Sequence, residues 1–475
     1  MMWRLIRKEW TAAIRDRRIV LMACVVTVLI VSAVAVRMRA ASVLQRDRTA
    51  AAAQFRGEWL AQGGKDAHSA AHFGTFVWKP VGLLNVLDVG TDTFTGSSIS
   101  LVAHQQSDAA FSRAGDSDGT QRFGELTPAL VVELLLPLLV IFAAFASIST
   151  ERRGGTLALL MVQGASPRAV LGAKLVALFA LITLLVGGTL CIALPLLTAV
   201  DAVRLAPGDL ARLALLGGAW LLFLLVWVAI SIAVAGRVRT GQSALLVLLM
   251  VWIVTSVFVP RLAANLGDSM YPLPSRLAFE AAVAHDVRAG FNGHDPDSVR
   301  LADVTREMLV QYRVDSVSQL PINIDGILTQ RGEEYTSAVY DRQFERLRAI
   351  MQRQRQVVQL ASLVSPYLAV RNVSMALTGT DQDHHDSFQR AAEGYRREMV
   401  QSLNRYQTEH SRTGDWAARS DSTLWRATRE FGWIRPTAMT ALRSRSVELS
   451  ALLLLLLGLL LALRTRNALA GVGQA

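Results

Sequence analysis

The chain has 475 residues, of which 52% are hydrophobic and 18% carry a charged side chain. Its apolar residues are concentrated in long runs, which is typical of an integral membrane protein and excludes an ordinary soluble globular domain. The formal net charge is +11, but the basic residues flank the apolar runs or mix with acidic ones. Because no basic module interleaved with aromatic residues is present, the sequence argues against nucleic-acid binding. The two cysteines, Cys24 and Cys191, both lie in apolar runs, which excludes a disulfide framework in the polar segments.

Residues 1–18 predict a basic amphipathic helix lying in the cytoplasmic membrane interface. Trp3 and Trp10 recur at helical spacing on one face, while Arg7, Lys8 and Glu9 supply charged positions. An equally weighted alternative is that the basic residues only flank the first span. That span ends in a charged flank and not in a small-residue cleavage site, so we expect it to remain as a membrane anchor.

Six apolar runs are each long enough to form a membrane-spanning helix. The predicted spans are 19–36, 128–150, 175–197, 213–235, 243–259 and 447–463. Two long polar segments separate them, which we name insertion 1 (37–127) and insertion 2 (260–446); insertion 2 is expected to be mainly helical.

The distribution of basic residues in the short polar segments predicts the orientation. The short segments that each carry at least two Lys or Arg on the same predicted side are 1–18, 151–174, 236–242 and 464–475. By the positive-inside rule these segments face the cytoplasm, so both termini are expected there and both insertions outside. The sequence therefore predicts an all-α membrane protein with six spans and two extracytoplasmic insertions.

The connector between spans two and three, residues 151–174, is too polar for lipid and too short for a domain. It opens with Glu151-Arg152-Arg153-Gly154-Gly155-Thr156-Leu157, and Pro167 precedes the third span. The glycines permit a sharp turn, and the charged and apolar side chains around them suit contact with a partner protein. The alternative is that the arginines only set topology and the apolar residues pack within the membrane protein.

The heptapeptide 151–157 resembles the ERE-x-GTL signature of ABC-2 type permeases. The residues around Pro167 and Lys174 are similar to that family's entry to the third span, and Lys8-Glu9-Trp10 resembles the helix that opens such permeases. A departure from the small-exporter pattern is the large insertion between spans five and six. There, the stretch 365–388 resembles a bacterial subgroup with an uncharacterised outer domain.

The resemblance implies the permease subunit of an exporter in the bacterial inner membrane. Such a subunit pairs with a second permease copy or paralogue and docks on two copies of a separate ABC ATPase. The connector, with Glu151, Arg152, Arg153, Gly154, Gly155, Thr156, Leu157 and Pro167, would then couple the spans to that ATPase. ATP and Mg²⁺ are expected on the partner, and a periplasmic partner is a further possibility.

The chain is not expected to be an enzyme or to hold a cofactor. No phosphate-binding loop occurs, since Gly63-Gly64-Lys65-Asp66 lacks both the spacing and the hydroxyl residue. Glu133, near the outer end of the second span, is an intramembrane acid that could line a substrate path or only reach the headgroups.

Two histidine groups are candidate metal ligands that the sequence does not favour. His68 and His72 stand four residues apart, and the stretch from Asp381 to Asp386 contains His384 and His385. Adjacent side chains point in different directions, and such residues also favour solvated turns, so the sequence predicts no metal site.

Two other functions stay open. One is a factor that uses ATP-driven movement to assemble or mature periplasmic proteins or metal centres, which the size of the insertions motivates. The other is a membrane scaffold or sensor without an ATPase. A proton-driven carrier is disfavoured, because Glu133 is the single plausible buried acid in the spans.

Overall fold

The computed structural model describes residues 1–110, 125–198, 206–291, 296–415 and 419–464, and the described chain is mostly helical. Beyond residue 464, the predicted cytoplasmic tail (464–475) lies outside the described residues. In chain order the helices are α1 (Met2–Arg15), α2 (Arg17–Ala61), α3 (Ala67–Phe73), α4 (Pro128–Arg153), α5 (Thr156–Val162), α6 (Pro167–Thr198), α7 (Asp209–Arg237), α8 (Gly241–Met270), α9 (Arg276–Ala289), α10 (Asp297–Tyr312), α11 (Ile324–Ala361), α12 (Pro366–Thr378), α13 (Gln382–His410), α14 (Ser422–Ala427), α15 (Ala438–Ser444) and α16 (Ser446–Leu463).

Among the described residues, six helices are long and apolar enough to cross a membrane: α2, α4, α6, α7, α8 and α16. The prediction of a mostly helical membrane protein with six candidate spans is therefore confirmed. The described part of the chain also contains a small antiparallel sheet in insertion 1. Its strands pair in the order β1 (Thr75–Trp78), β2 (Ser98–Val102) and β3 (Gln105–Gln106).

The helix that contains the first span does not end at residue 36. It continues to Ala61, so the predicted start of insertion 1 at residue 37 is the middle of a helix. The residues after the span are mostly alanine and other good helix formers, without proline, and nothing interrupts the backbone hydrogen bonding. Arg37, which we read as part of the charged flank, is buried in this helix and pairs with Glu125.

Two of the candidate spans pass through a proline by means of a π-helical turn. Val131–Leu135 precedes Pro137 in α4, and Val254–Phe258 precedes Pro260 in α8. A proline ring clashes with the carbonyl of the fourth residue before it, and a π turn widens the helix at that carbonyl. This explains why the helix α8 continues through Pro260 to Met270, beyond residue 259, the predicted end of the fifth span.

Both insertions pack onto the bundle of candidate spans. Leu84 and Leu87 of insertion 1 and Val373 and Leu377 of insertion 2 belong to the same buried core as the helices of the bundle. A second core joins the insertions to each other, and its buried aromatic residues are Trp59, Phe388 and Trp425. Insertion 2 packs on the bundle through its helix α12, which lies against α7 and α16.

The bundle has two chemically distinct ends. At one end, Arg168 of the connector donates to the Arg464 carbonyl at 3.0 Å, and Arg237 donates to the Ala462 carbonyl at 2.7 Å. We call this the connector end, because it also holds α1 and α5. The two insertions lie together at the other end, which we call the insertion end.

Candidate functional site

The connector folds as a helical hairpin at the connector end. Helix α4 ends at Arg153, and Gly155 adopts a φ of +70° before α5 begins. This left-handed conformation costs glycine nothing and costs other residues steric strain. The turn therefore lets α5 leave the axis of α4.

Four charged side chains join α1, the end of α4 and α6. The Lys174 ammonium lies 2.8 Å from a Glu9 carboxylate oxygen and 3.0 Å from a Glu151 oxygen, and Lys8 pairs with the same Glu151. The Lys174 side chain is 3% exposed, whereas that of Lys8 is 40% exposed. We name these four residues the charge cluster. Its two positive and two negative charges balance, and their mutual attraction offsets the desolvation cost of partial burial.

Arg152 ties the same connector to the turn between α7 and α8. Its guanidinium donates to the carbonyl oxygens of Gly236, Val238 and Arg239 at 3.2, 3.1 and 3.3 Å. These carbonyls lie at the C-terminus of α7, where the helix leaves acceptors unpaired and favours a positive charge. Arg152 is thus a cap for a neighbouring helix as well as a basic residue of the connector.

Two connector residues that we expected to meet a partner are internal. Leu157 is 1% exposed and packs in the core of the bundle, and Glu151 is engaged by the two lysines of the charge cluster. The alternative weighed from the sequence, in which apolar residues of the connector pack within the membrane protein, describes Leu157. The exposed residues of the connector include Arg153, Gly154, Gly155, Thr156, Leu159, Val162 and Pro167.

Helix α1 contributes both an inner and an outer face to this end of the bundle. Leu5 is buried and Glu9 reaches the charge cluster, so that side of the helix rests on α6. Trp3 is 74% exposed, Arg7 is exposed and Trp10 is partly exposed. The predicted amphipathic character is therefore present, with the tryptophans available to a membrane interface.

Glu133 lies inside the bundle and not on its lipid-facing surface. It is fully buried within the π turn of α4, close to Trp220, Arg371 and Ser374, although neither carboxylate oxygen makes a hydrogen bond of good geometry. Trp252 of α8 donates to the neighbouring Leu134 carbonyl at 3.2 Å. Glu133 is therefore an interior acid that faces α12.

The acidic and histidine-rich stretch that starts at Asp381 forms ion pairs. Arg445 lies 2.7 Å from Asp381 and 2.8 Å from Asp383, and Asp381 also accepts from His384 at 2.5 Å. Burial alone would raise the pKa of Asp381, but the His384 and Arg445 partners outweigh it and hold that pKa well below its usual range. These carboxylates are therefore paired with arginine and histidine.

His68 and His72 do share a helix face, and a third histidine completes a cluster with them. His104 comes from the turn between β2 and β3, and its imidazole lies beside both rings. The sequence did not indicate His104, which is 32 positions beyond His72. The folding of the sheet brings the two residues together, and no sequence spacing reports that contact. The spacing of His68 and His72 was the one available signal.

The comparisons with known proteins assign no activity. Residues 276–434 match the model of a family described as a domain of unknown function, DUF3526. This segment begins at α9, the first residue of which is Arg276, and ends after α14. No curated protein matches the chain.

Proposed function

We propose that this chain is the membrane-spanning subunit of an ATP-driven exporter of the ABC-2 type in the bacterial inner membrane. The observation that carries the proposal is the charge cluster, in which Glu9 of α1 and Glu151 of α4 share Lys174 of α6. A force on the connector would therefore reach three helices at once. Two copies of a separate ATPase would supply that force, and a second permease copy or paralogue would complete the substrate path.

The surface we assign to the ATPase is the outward side of the connector hairpin. Val162 is 85% exposed and Leu159 is 57% exposed, and Arg153 lies at the preceding turn. Two exposed apolar side chains beside a cation suit a partner groove with an acidic rim. We name Arg153, Leu159 and Val162 the coupling patch.

The test is co-expression with an ABC ATPase, which we expect to be encoded in a neighbouring reading frame. The purified complex should hydrolyse ATP, and Val162→Glu combined with Leu159→Glu should reduce binding of the ATPase at least about tenfold, since each change removes an apolar contact and inserts a charge. The matched control is Val310→Glu, because Val310 is 72% exposed on α10 at the insertion end. Equal ATPase binding by the coupling-patch variant and the control would refute the assigned surface.

Orientation can be tested separately from ATP hydrolysis. In a chain with Cys24 and Cys191 replaced by alanine, a cysteine at Val162 should react with a membrane-impermeant thiol reagent in inside-out vesicles alone. A cysteine at Val310 should react in intact spheroplasts. The opposite pattern would place the connector end outside the cytoplasm and would contradict the proposal.

A second candidate function is assembly or maturation of periplasmic proteins, which an open cavity at the insertion end favours. The cavity has a volume of about 800 Å³, and α3, α9, α10 and α11 contribute residues to its wall. It lies away from the bundle, so its occupant need not be a transported solute. A photo-crosslinker at Leu301 of this wall should capture a periplasmic protein under ATP turnover if this function is correct, whereas export alone predicts no such adduct. A chain that binds no ATPase would instead favour a scaffold or sensor.

A further inference from the structure

Three imidazoles converge at the insertion end, on the wall of the cavity. His68 and His72 lie one turn apart on α3, with their Nε2 atoms 3.0 Å from each other. His104 Nε2 lies 3.3 Å from His68 Nε2. His104 also has a φ of +62°, a conformation in which a side chain other than glycine is uncommon. The backbone of the turn is therefore strained at the residue that completes the cluster.

The opposite nitrogen of two of these rings is held by a buried hydrogen-bond acceptor. His104 Nδ1 lies 2.7 Å from a Glu333 carboxylate oxygen, and Arg396 fixes that carboxylate from the other side at 3.1 Å. His68 Nδ1 lies 2.9 Å from Asn404 Oδ1. The Asn404 amide is oriented in turn, because its Nδ2 donates to Gln330 Oε1 at 3.1 Å.

These contacts determine which nitrogen carries the proton in each neutral ring. A carboxylate oxygen and an amide oxygen can only accept, so the Nδ1–H groups of His104 and His68 must donate to them. The Nε2 atoms of both rings then have no proton and present lone pairs to each other at 3.3 Å. Two neutral rings in these tautomers repel at this distance, and either a proton on one ring or a bound metal ion removes the repulsion.

The two spacings from His68 Nε2, 3.0 Å to His72 Nε2 and 3.3 Å to His104 Nε2, are close to those in the first coordination shell of a tetrahedral metal ion, and all three ligand atoms lie within 4.8 Å of one another. With metal–nitrogen bonds of about 2.0–2.1 Å, tetrahedral geometry separates neighbouring ligand atoms by about 3.3 Å. A buried carboxylate or amide behind each histidine is the usual outer shell that fixes the tautomer and orientation of a metal ligand. Imidazole nitrogens favour zinc, copper, nickel and cobalt over calcium and magnesium.

We propose that His68, His72 and His104 bind a divalent transition-metal ion through their Nε2 atoms. Three protein ligands leave a fourth position for water or an incoming group, and His68 and His104 both line the cavity of about 800 Å³. The fourth position therefore faces a space large enough for a small molecule or a side chain of a partner protein.

The ion would also join the two insertions. All three ligands belong to insertion 1, whereas Glu333, Asn404 and Arg396, which orient them, belong to insertion 2 and to the matched segment 276–434. Binding would stabilise the contact between the insertions because the folded arrangement alone assembles the site. This inference does not depend on the proposed export function, since it concerns the isolated chain.

The test uses the full-length chain, purified in detergent with a tag that contains no histidine and stripped with EDTA. Titration with Co²⁺ should give the intense visible absorption of a four-coordinate ion, saturating at one equivalent and displaced by Zn²⁺. His72→Gln should weaken binding by about 100-fold or more, since loss of an outer-shell residue alone costs 10–100-fold. His104→Asn should do the same, and asparagine tolerates the left-handed backbone at that position.

The matched control is His285→Gln, which removes an exposed histidine of insertion 2 outside the cluster. It should bind Co²⁺ like the unmodified chain. Circular dichroism without metal should be the same for all variants, and Zn²⁺ should raise the melting temperature of the unmodified chain and the control but not of His72→Gln. Failure of the unmodified chain to bind one equivalent, or equal binding by the cluster variants and the control, would overturn the proposal.

Discussion

The charge cluster allows a sharp comparison of two lysines that face the same carboxylates with different burial. Lys174→Met removes a cation that is 3% exposed and leaves Glu9 and Glu151 close together in a partly buried site. Lys8→Met removes a cation that is 40% exposed and pairs with Glu151. Removing one partner of a buried ion pair lowers stability by about 3–5 kcal/mol, whereas an exposed ion pair contributes about 0–1 kcal/mol to stability. We expect the lower end, about 3 kcal/mol, for Lys174→Met, because Lys8 still neutralises part of the site.

The assay measures how often α1 leaves α6. Leu5 lies on the buried face of α1 and is 7% exposed, so a cysteine at this position is protected from a thiol reagent until α1 separates from α6. With Cys24 and Cys191 replaced by alanine, the labelling rate in detergent reports the opening equilibrium when reclosing is faster than labelling. A loss of about 3 kcal/mol should raise that rate about 100-fold, since about 1.4 kcal/mol corresponds to a factor of ten.

The Lys8→Met variant in the same cysteine background is the control. Its labelling rate should rise less than about fivefold, the equivalent of about 1 kcal/mol. If both variants label at the same rate, burial does not determine the strength of the cluster. The reasoning that α1, α4 and α6 move as one unit would then be refuted.

Three further changes test the remaining described contacts. Asp381→Asn should lower the free energy of unfolding by about 3 kcal/mol, because the Arg445 cation loses its buried partner. Unfolding in urea at pH 7 measures this free energy. Burial would raise the pKa of Asp381, but His384 and Arg445 lower it in the folded protein by more. The difference in free energy of unfolding between the unmodified chain and Asp381→Asn should therefore be largest at neutral pH. It should decrease as the pH falls below about 3.9, the pKa of an aspartate in the unfolded chain. Gly155→Ala should lower the free energy of unfolding by about 1–2 kcal/mol through its φ of +70°, and Gly155→Asn by less, as compared by thermal unfolding. Arg396→Met should lower the free energy of unfolding by about 3–5 kcal/mol, because the buried carboxylates of Glu333 and Glu393 lose the cation that they share. The insertion end should then lose its protection from proteolysis. Unchanged protection would contradict this prediction.

Sequence patterns were sufficient for the number of apolar helices but not for their ends. The length of an apolar run can be compared directly with the thickness of the membrane's hydrocarbon core, and this made the six candidate spans predictable. The continuation of α2 beyond residue 36 was missed because a charged flank resembles a membrane boundary, while Arg37 is in fact buried and paired with Glu125. The continuation of α8 beyond residue 259 was not predicted, because a π turn before Pro260 keeps the helix continuous and no local sequence pattern indicates such a turn.

The functional residues divide in the same way. The connector was recognisable because its charged and glycine residues are contiguous, yet nothing in its sequence indicated that Leu157 is buried while Val162 is exposed. The charge cluster requires Lys174 to meet Glu9, residues separated by 165 positions. His104 joins the cluster on α3 through a strand turn, so its role depends on the sheet register and not on spacing.

Helix α2 provides a physical link between the two ends of the molecule. It has 45 residues and is therefore about 67 Å long, of which the hydrocarbon core of a membrane takes about 30 Å. Near its first turns it packs against α1 and α6, which carry the charge cluster, and near its last turn Trp59 donates to the Trp425 carbonyl at 3.0 Å. Trp425 in turn donates to the Gly63 carbonyl at 3.1 Å, just before α3 and its histidines. Because a continuous helix without proline resists bending, a tilt imposed at the connector end would displace the insertion end in proportion to this length. Under the proposed function, an ATPase acting on the connector would thus move the histidine cluster and its cavity without a separate signalling element.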